Sequence, residues 1–181
     1  MYIYTGGEPL VRRGIVDICA RTAAASGVEE VCMTTNGLLL PKLARELRAA
    51  GLRRVNISLD TLSPERYREL TRVGSIDDAL EGLKAALDNF ETVKINAVLI
   101  GGVNEAEIQD MAALTRDVPV EIRFIELMPI GECAHWPEER FAKNSKVLAA
   151  VPALEPAGSS GVARLYTLPN AKGKVGLISP L

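Results

Sequence analysis

The chain has 181 residues, of which 48% are hydrophobic and 24% are charged, and its formal net charge is −2. This composition is typical of one globular domain, and the lack of a basic excess excludes an electrostatic nucleic-acid binder. No apolar run reaches the roughly 18 residues of a membrane span, and the N-terminus lacks a signal-peptide pattern. The three cysteines, Cys19, Cys32 and Cys133, are odd in number and far apart, which predicts a reducing, cytoplasmic location.

Short β-like runs alternate with helical patterns along most of the chain. The predicted strands are 2–4, 30–34, 54–59, 92–99 and 120–126. Helices are predicted over 11–26, 76–89, 104–115 and 138–150. Two more helices are predicted, one that ends at Gly51 and one that begins at Ser63-Pro64-Glu65. Residues 152–161 are expected to form a loop, and 163–168 with 174–178 a β-hairpin. This alternation predicts an α/β fold with a parallel sheet, either an incomplete barrel or an open doubly wound sheet, since a closed eight-fold barrel takes about 250 residues.

The alternation within strands predicts which side chains face the covering helices. Val55, Ile57 and Leu59 share one face of their strand, as do Val120, Ile122 and Phe124 of another. The opposite faces are polar and would line the barrel interior. That interior set is Thr34, Asn36, Ser58, Lys94, Asn96, Glu121 and Arg123. Buried charges need partners, so the pattern indicates a wet lumen for a phosphorylated or zwitterionic ligand. A one-sided sheet whose polar face meets water remains the alternative.

The N-terminal stretch Thr5-Gly6-Gly7-Glu8-Pro9 follows the first strand. Two glycines at a strand end allow a sharp turn and a close approach of the backbone to a ligand. Glu8 is either a catalytic base or a carboxylate that organises its own turn. The Asp60-Thr61 pair is either a ribose contact or a cap at a helix entry.

Five motifs occur together and in order along the chain. They are TGGEPL (5–10), TTNGLLL (34–40), VNISLDTL (55–62), VKINAVLI (93–100) and RFIELMPIG (123–131). Together they resemble the GTP 3′,8-cyclase family of molybdenum cofactor biosynthesis, within the radical S-adenosylmethionine superfamily. The resemblance implies a partial TIM-like (β/α)6 barrel with a C-terminal β-hairpin. It also implies a lyase that converts GTP to (8S)-3′,8-cyclo-7,8-dihydroguanosine 5′-triphosphate by radical chemistry.

The resemblance also implies site residues. Gly7, Ser58 and Met128 match positions that contact S-adenosylmethionine, and Thr34 and Lys94 match positions that contact GTP. Asn96 and Arg123 are further candidates in the same lumen. No catalytic residue or metal ligand is assigned. Nucleic acid and membranes are not expected as partners, and a homodimer is kept open.

The chain departs from the family in its cysteines. The family holds [4Fe–4S] clusters on an N-terminal CxxxCxxC motif and on a C-terminal cysteine group, and neither motif is present. We therefore expect a barrel truncated at both ends, with residues 1–150 as barrel core and 151–181 as loop and hairpin, which cannot make the radical alone. Another radical S-adenosylmethionine enzyme, modifying a peptide or haem, and a non-catalytic nucleotide-binding module remain the alternatives.

Overall fold

The computed structural model describes residues 1–180, which form eight strands and six α-helices joined by short 3-10 turns. The strands are β1 (Tyr2–Tyr4), β2 (Val31–Thr35), β3 (Leu52–Ser58), β4 (Thr92–Leu99), β5 (Val120–Glu126), β6 (Glu155–Ser160), β7 (Ala163–Thr167) and β8 (Lys174–Ile178). The helices are α1 (Ile15–Ala23), α2 (Leu40–Ala49), α3 (Pro64–Thr71), α4 (Ile76–Asn89), α5 (Ile108–Asp117) and α6 (Ser145–Ala150). None of the helices in this part of the chain has the length and apolar character that crossing a bilayer requires.

The sheet is mostly parallel and is not closed. Its strand order is β1-β2-β3-β4-β5-β8-β7-β6. β1, β2 and β3 pair in parallel, and β8 pairs in parallel with β5. The β7–β8 and β6–β7 pairs are antiparallel. The predicted α/β class and C-terminal hairpin are therefore confirmed, and the sheet is consistent with a truncated barrel.

The residues fall into two compact units. The first unit comprises Met1–Leu59 and Arg68–Lys94, and the second comprises residues 60–67 and 95 onward. Each unit has apolar strand faces covered by helices. The predicted division at residue 150 stays a prediction.

The apolar strand faces are buried as the alternation predicted. In the first unit Val55 and Ile57 are fully buried, and the Tyr4 hydroxyl donates to the carbonyl of Ile18 in α1. In the second unit Val120, Ile122 and Phe124 are at most 1% exposed. Burying a large aliphatic or aromatic side chain contributes about 1.5–3 kcal/mol, so these faces hold the helices against the strands.

Three local predictions were wrong. The first helix begins at Ile15 instead of residue 11, because Gly14 has a left-handed φ of 72° and a 3-10 turn occupies Pro9–Val11. Residues 155–160 form β6 and not a loop, since a strand that ends the sheet order tolerates Pro156 beside a register irregularity. The helix expected over 138–150 is reduced to Ser145–Ala150.

Asn104 occupies the N-cap position of the 3-10 turn Glu105–Glu107, but its side chain makes no capping hydrogen bond. Its side chain is 1% exposed and binds three backbone groups instead. The amide nitrogen donates to the carbonyls of Asp60 (2.7 Å) and Val98 (2.8 Å), and Oδ1 accepts from Ile100 N (2.9 Å). Asn104 therefore joins Asp60 to the segment from Val98 to Ile100 within the second unit.

Candidate functional site

The glycine turn after β1 leaves its backbone facing open space. Gly6 and Gly7 have φ values of 89° and 56°, which L side chains rarely adopt, and an added Cβ on either would meet no atom within 4 Å. The turn therefore needs glycine for its conformation and not because protein atoms crowd it. A ligand could approach the main chain here, which fits the role that the resemblance implies for Gly7.

Glu8 organises this turn and ties it to the end of β2. Its Oε1 accepts from Leu10 N (3.0 Å) and from the Thr35 hydroxyl (2.7 Å), and its Oε2 accepts from Asn36 N (2.7 Å). Both oxygens are thus occupied by protein donors. This supports the organising role over that of a free base, and it links the segments that carry Gly7 and Thr34.

The loop after β2 is held from two sides. On one side the Thr35 hydroxyl, which donates to Glu8, also accepts from Gly37 N (3.1 Å). On the other side α4 approaches so closely that a Cβ on Gly82 would lie 2.2 Å from the carbonyl oxygen of Gly37. Asn36 closes the loop by accepting from Leu38 N (3.0 Å). Thr34 is therefore presented by a rigid segment.

Thr34, Asn56 and Ser58 share one face of β2 and β3. The register pairs Thr34 with Asn56, and Asn56 Nδ2 donates to the Thr34 hydroxyl at 3.2 Å. Ser58 follows two positions later on the same face and is exposed. Lys94, also in the first unit, is 5% exposed. The structure thus places the Thr34 hydroxyl and the Asn56 amide together, with an accessible hydroxyl on the same face.

The remaining predicted residues belong to the second unit. Arg123 donates from Nε to Glu121 Oε1 (2.6 Å) and from Nη2 to the Ser160 hydroxyl (3.5 Å). Met128 is 43% exposed in the loop after β5. Asn96 is half-buried, and its Oδ1 has no hydrogen-bond partner among the described residues. Because Arg123 is held in an ion pair, it is less available to a ligand than the sequence suggested.

Sequence reasoning missed a carboxylate network that fixes the loop after β3. Glu107 accepts from the Thr61 hydroxyl (2.7 Å), Leu62 N (2.6 Å) and Ser63 N (3.1 Å), and pairs with Arg66 at 2.8 Å. Burial by itself raises the pKa of Glu107, but these hydrogen bonds and the ion pair outweigh it and hold the pKa below its usual range.

The Asp60-Thr61 pair belongs to the same loop. Thr61 also accepts from Ser63 N at 3.0 Å, just before α3, which favours the helix-entry alternative for this residue. The Asp60 carboxylate accepts from Val98 N at 2.8 Å, and burial raises its pKa. Both side chains are thus used to join loops within the second unit. No sequence signal pointed to Glu107, because its partners lie more than 40 residues away.

The three thiols do not form an iron–sulfur site. Cys19 and Cys32 are fully buried, and burial is the main cause that raises the pKa of each, which disfavours the thiolate that a cluster requires. Cys133 is partly exposed in a 3-10 turn. Within residues 1–180 no group of three or more His, Cys, Asp or Glu side chains could hold a metal ion. The residues present therefore do not fit a [4Fe–4S] cluster.

A family model described as the Radical SAM superfamily matches residues 2–115, which is more than half of the chain. The chain belongs to the radical SAM superfamily. A solved structure, a domain of pyruvate-formate lyase-activating enzyme from Bacteroides vulgatus, superimposes with a TM-score of 0.66. That match covers 83% of this chain and 89% of that domain at 18% identity, so it shows the fold alone.

Curated relatives of the chain are named GTP 3′,8-cyclase. Those from Alkaliphilus metalliredigens and Peptoclostridium acidaminophilum are 48% and 50% identical over 98% of this chain. The one from Heliobacterium modesticaldum is also 50% identical over 98% of the chain. The chain spans about 56% of the length of these relatives.

Proposed function

We propose that this chain is part of a radical SAM GTP 3′,8-cyclase, a lyase that acts on GTP in molybdenum cofactor biosynthesis. The observation that carries the proposal is the identity of 46–50% to proteins of that name over 98% of the chain. The glycine turn at Gly7, which Glu8 ties to the loop after β2, and the rigid loop at Thr34 are the structural support. The cytoplasm is the proposed location, and a homodimer is the assembly to test.

In this proposal the cofactor S-adenosylmethionine is held by Gly7, Ser58 and Met128. The open backbone at Gly7 offers main-chain groups to the charged methionine end, because no side chain intervenes there. The exposed Ser58 hydroxyl offers a hydrogen bond. Met128, an exposed and polarizable side chain, offers an apolar surface to the adenine ring.

The substrate GTP is held by Thr34 and Lys94 in the same proposal, with Asn96 and Arg123 ranked below them. The Lys94 ammonium supplies a counter-charge for the triphosphate, and its burial strengthens such an interaction. The Thr34 hydroxyl both donates and accepts, so it suits a nucleoside hydroxyl or amine. The chain's own residues bind and orient the two ligands, and the cofactor supplies the difficult chemistry.

Radical chemistry in this family depends on a reduced [4Fe–4S] cluster, and the described cysteines do not fit one. We therefore assign this chain no electron-transfer or radical step. Anaerobic reconstitution of the isolated chain with iron and sulfide should give no stoichiometric [4Fe–4S] absorption. A stoichiometric cluster bound by Cys19, Cys32 and Cys133 would contradict the assignment of these thiols.

Titration calorimetry of the chain with GTP and with S-adenosylmethionine tests the proposal directly. We expect both ligands to bind, Lys94→Ala to weaken GTP selectively and Ser58→Ala to weaken S-adenosylmethionine selectively. Binding of S-adenosylmethionine without GTP would favour another radical SAM enzyme, one that modifies a peptide or a haem. Binding of GTP alone would favour a nucleotide-binding module, and binding of neither would refute the proposal.

A further inference from the structure

The side-chain amide of Asn56 has a hydrogen-bonding group that the protein leaves unused. Asn56 lies in the middle of β3 and is 9% exposed. Its Nδ2 donates to the Thr34 hydroxyl at 3.2 Å. Its Oδ1 is buried and has no hydrogen-bond partner among the described residues. Buried side-chain acceptors are paired in the large majority of cases, so this one requires an explanation.

A second buried asparagine provides the comparison. Asn104 is 1% exposed, and all three of its hydrogen bonds go to backbone groups of the protein. Asn104 therefore has a structural role that is complete without a ligand. Asn56 makes one hydrogen bond between neutral groups and leaves one buried carbonyl oxygen unsatisfied. In the ligand-free chain, the desolvation penalty of that oxygen is at least as large as the stability that the single hydrogen bond contributes.

The position of Asn56 indicates which ligand would satisfy it. Its aligned partner across the strand pair is Thr34, the residue proposed to contact GTP. Both side chains lie on the strand face that ends at the exposed Ser58. A carbonyl oxygen accepts hydrogen bonds only, so the matching ligand group must be a donor. GTP has such donors in its ribose hydroxyls and in the N1–H and 2-amino groups of guanine.

We propose that Asn56 is a substrate-binding residue that selects GTP by accepting a hydrogen bond from its ribose or its base. This inference rests on the proposed function, because it takes GTP as the ligand. When an analogue lacks the donor, the buried acceptor stays unpaired in the complex. The affinity for that analogue is then much lower than the affinity for GTP. Asn56 is thus a specificity-determining position, and Thr34 orients its amide.

The test compares Asn56→Leu with Asn104→Leu in the full chain. Leucine keeps the branching of asparagine at Cγ and has no polar atom, but it is larger, so Asn56→Leu should lower the thermal midpoint less than Asn104→Leu does. Asn104→Leu should lower the midpoint, because it leaves the carbonyls of Asp60 and Val98 and the amide of Ile100 without partners. In calorimetry, Asn56→Leu should weaken GTP at least about tenfold, the equivalent of one hydrogen bond. S-adenosylmethionine should bind within about twofold of the unchanged chain.

Analogues identify the donor. The unchanged chain should prefer GTP to 2′-deoxyGTP or 3′-deoxyGTP if the missing ribose hydroxyl is the donor, or to inosine 5′-triphosphate if the 2-amino group is the donor, whereas equal binding of all three analogues assigns the donor to guanine N1–H. That preference should disappear in Asn56→Leu. Unchanged GTP affinity in Asn56→Leu, with Lys94→Ala still weakened, would overturn the inference and leave the proposed function standing. A thermal midpoint lowered as far as in Asn104→Leu would also overturn it. No binding of GTP to the unchanged chain would overturn both.

Discussion

Replacing Glu8 by glutamine tests whether one carboxylate fixes the glycine turn to the loop after β2. Both oxygens of Glu8 accept hydrogen bonds, from Leu10 N and the Thr35 hydroxyl at Oε1 and from Asn36 N at Oε2. A glutamine has one acceptor oxygen. In either orientation of its amide, an N–H of the side chain faces a backbone N–H of Leu10 or Asn36, so that bond is lost.

The magnitude follows from the type of bond that is removed. A hydrogen bond to a charged group contributes about 1.5–3 kcal/mol, and the opposed donors add to the loss. We expect a local destabilisation of about 2–3 kcal/mol. If this destabilisation favours local opening of the loop, hydrogen exchange of the Asn36 amide should accelerate roughly 30- to 150-fold, because about 1.4 kcal/mol of opening free energy corresponds to a factor of ten in exchange rate. If it acts on global unfolding, the midpoint should fall by roughly 4–12 °C.

Amide exchange measured by NMR distinguishes these outcomes residue by residue. Glu81→Gln is the matched control, because Glu81 is exposed on α4 in the same unit. It should change neither the Asn36 exchange rate nor the midpoint. If Glu8→Gln accelerated exchange at Asn36 and Leu10 by less than about threefold without changing the midpoint, the argument that this carboxylate holds the loop would be refuted.

Three further predictions concern the same loops. Gly7→Ala should lower the unfolding free energy by only about 1 kcal/mol, which is the strain of alanine at a φ of 56°. It should nevertheless abolish S-adenosylmethionine binding, because the new methyl group enters the open space beside the backbone. Normal binding of the cofactor would contradict this prediction. Gly82→Ala should lower the thermal midpoint and shift the Gly37 carbonyl in a crystal structure, since its Cβ would lie 2.2 Å from that oxygen; an unshifted loop would contradict the close approach. Glu107 has a lowered pKa, so its stabilising contribution is full above the unfolded-state pKa and is lost as pH falls through the folded-state pKa. The difference in unfolding free energy between the unchanged chain and Glu107→Gln, measured by urea unfolding, should therefore shrink in that acidic range. A difference that does not depend on pH would contradict this prediction.

Local sequence pattern predicted the parallel strands well. The bounds of β4 and β5 match the predicted 92–99 and 120–126, because alternation of apolar and polar residues is a local property of a half-polar strand. The bounds of α4 likewise match the predicted 76–89, and a capping box of Ser75 and Asp78 stabilises its start. The turn role of Glu8 was one of two alternatives in the sequence, and its three hydrogen bonds favour it.

Pattern failed where a partner from a distant part of the chain decides the conformation. Residues 155–160 contain proline, glycine and serines that are typical of a loop, yet antiparallel pairing with β7 makes them a strand. Asn104 directly precedes the 3-10 turn Glu105–Glu107, yet its side-chain amide donates to the distant carbonyl of Asp60 and to that of Val98 instead of capping the turn. Neither partner could be read from the neighbouring residues.

The sequence by itself determined the order of the parallel strands β1 to β5 and the helices between them, the faces that are buried and the family to which the chain belongs. These depend on residue periodicity and on motifs whose members are close together along the chain. Only the tertiary structure decided that Thr34 and Asn56 share a hydrogen bond, that Glu8 joins two loops and that the buried amide oxygen of Asn56 has no partner among the described residues. Such pairings depend on strand register and on the positions of single atoms, which hydrophobic alternation does not encode.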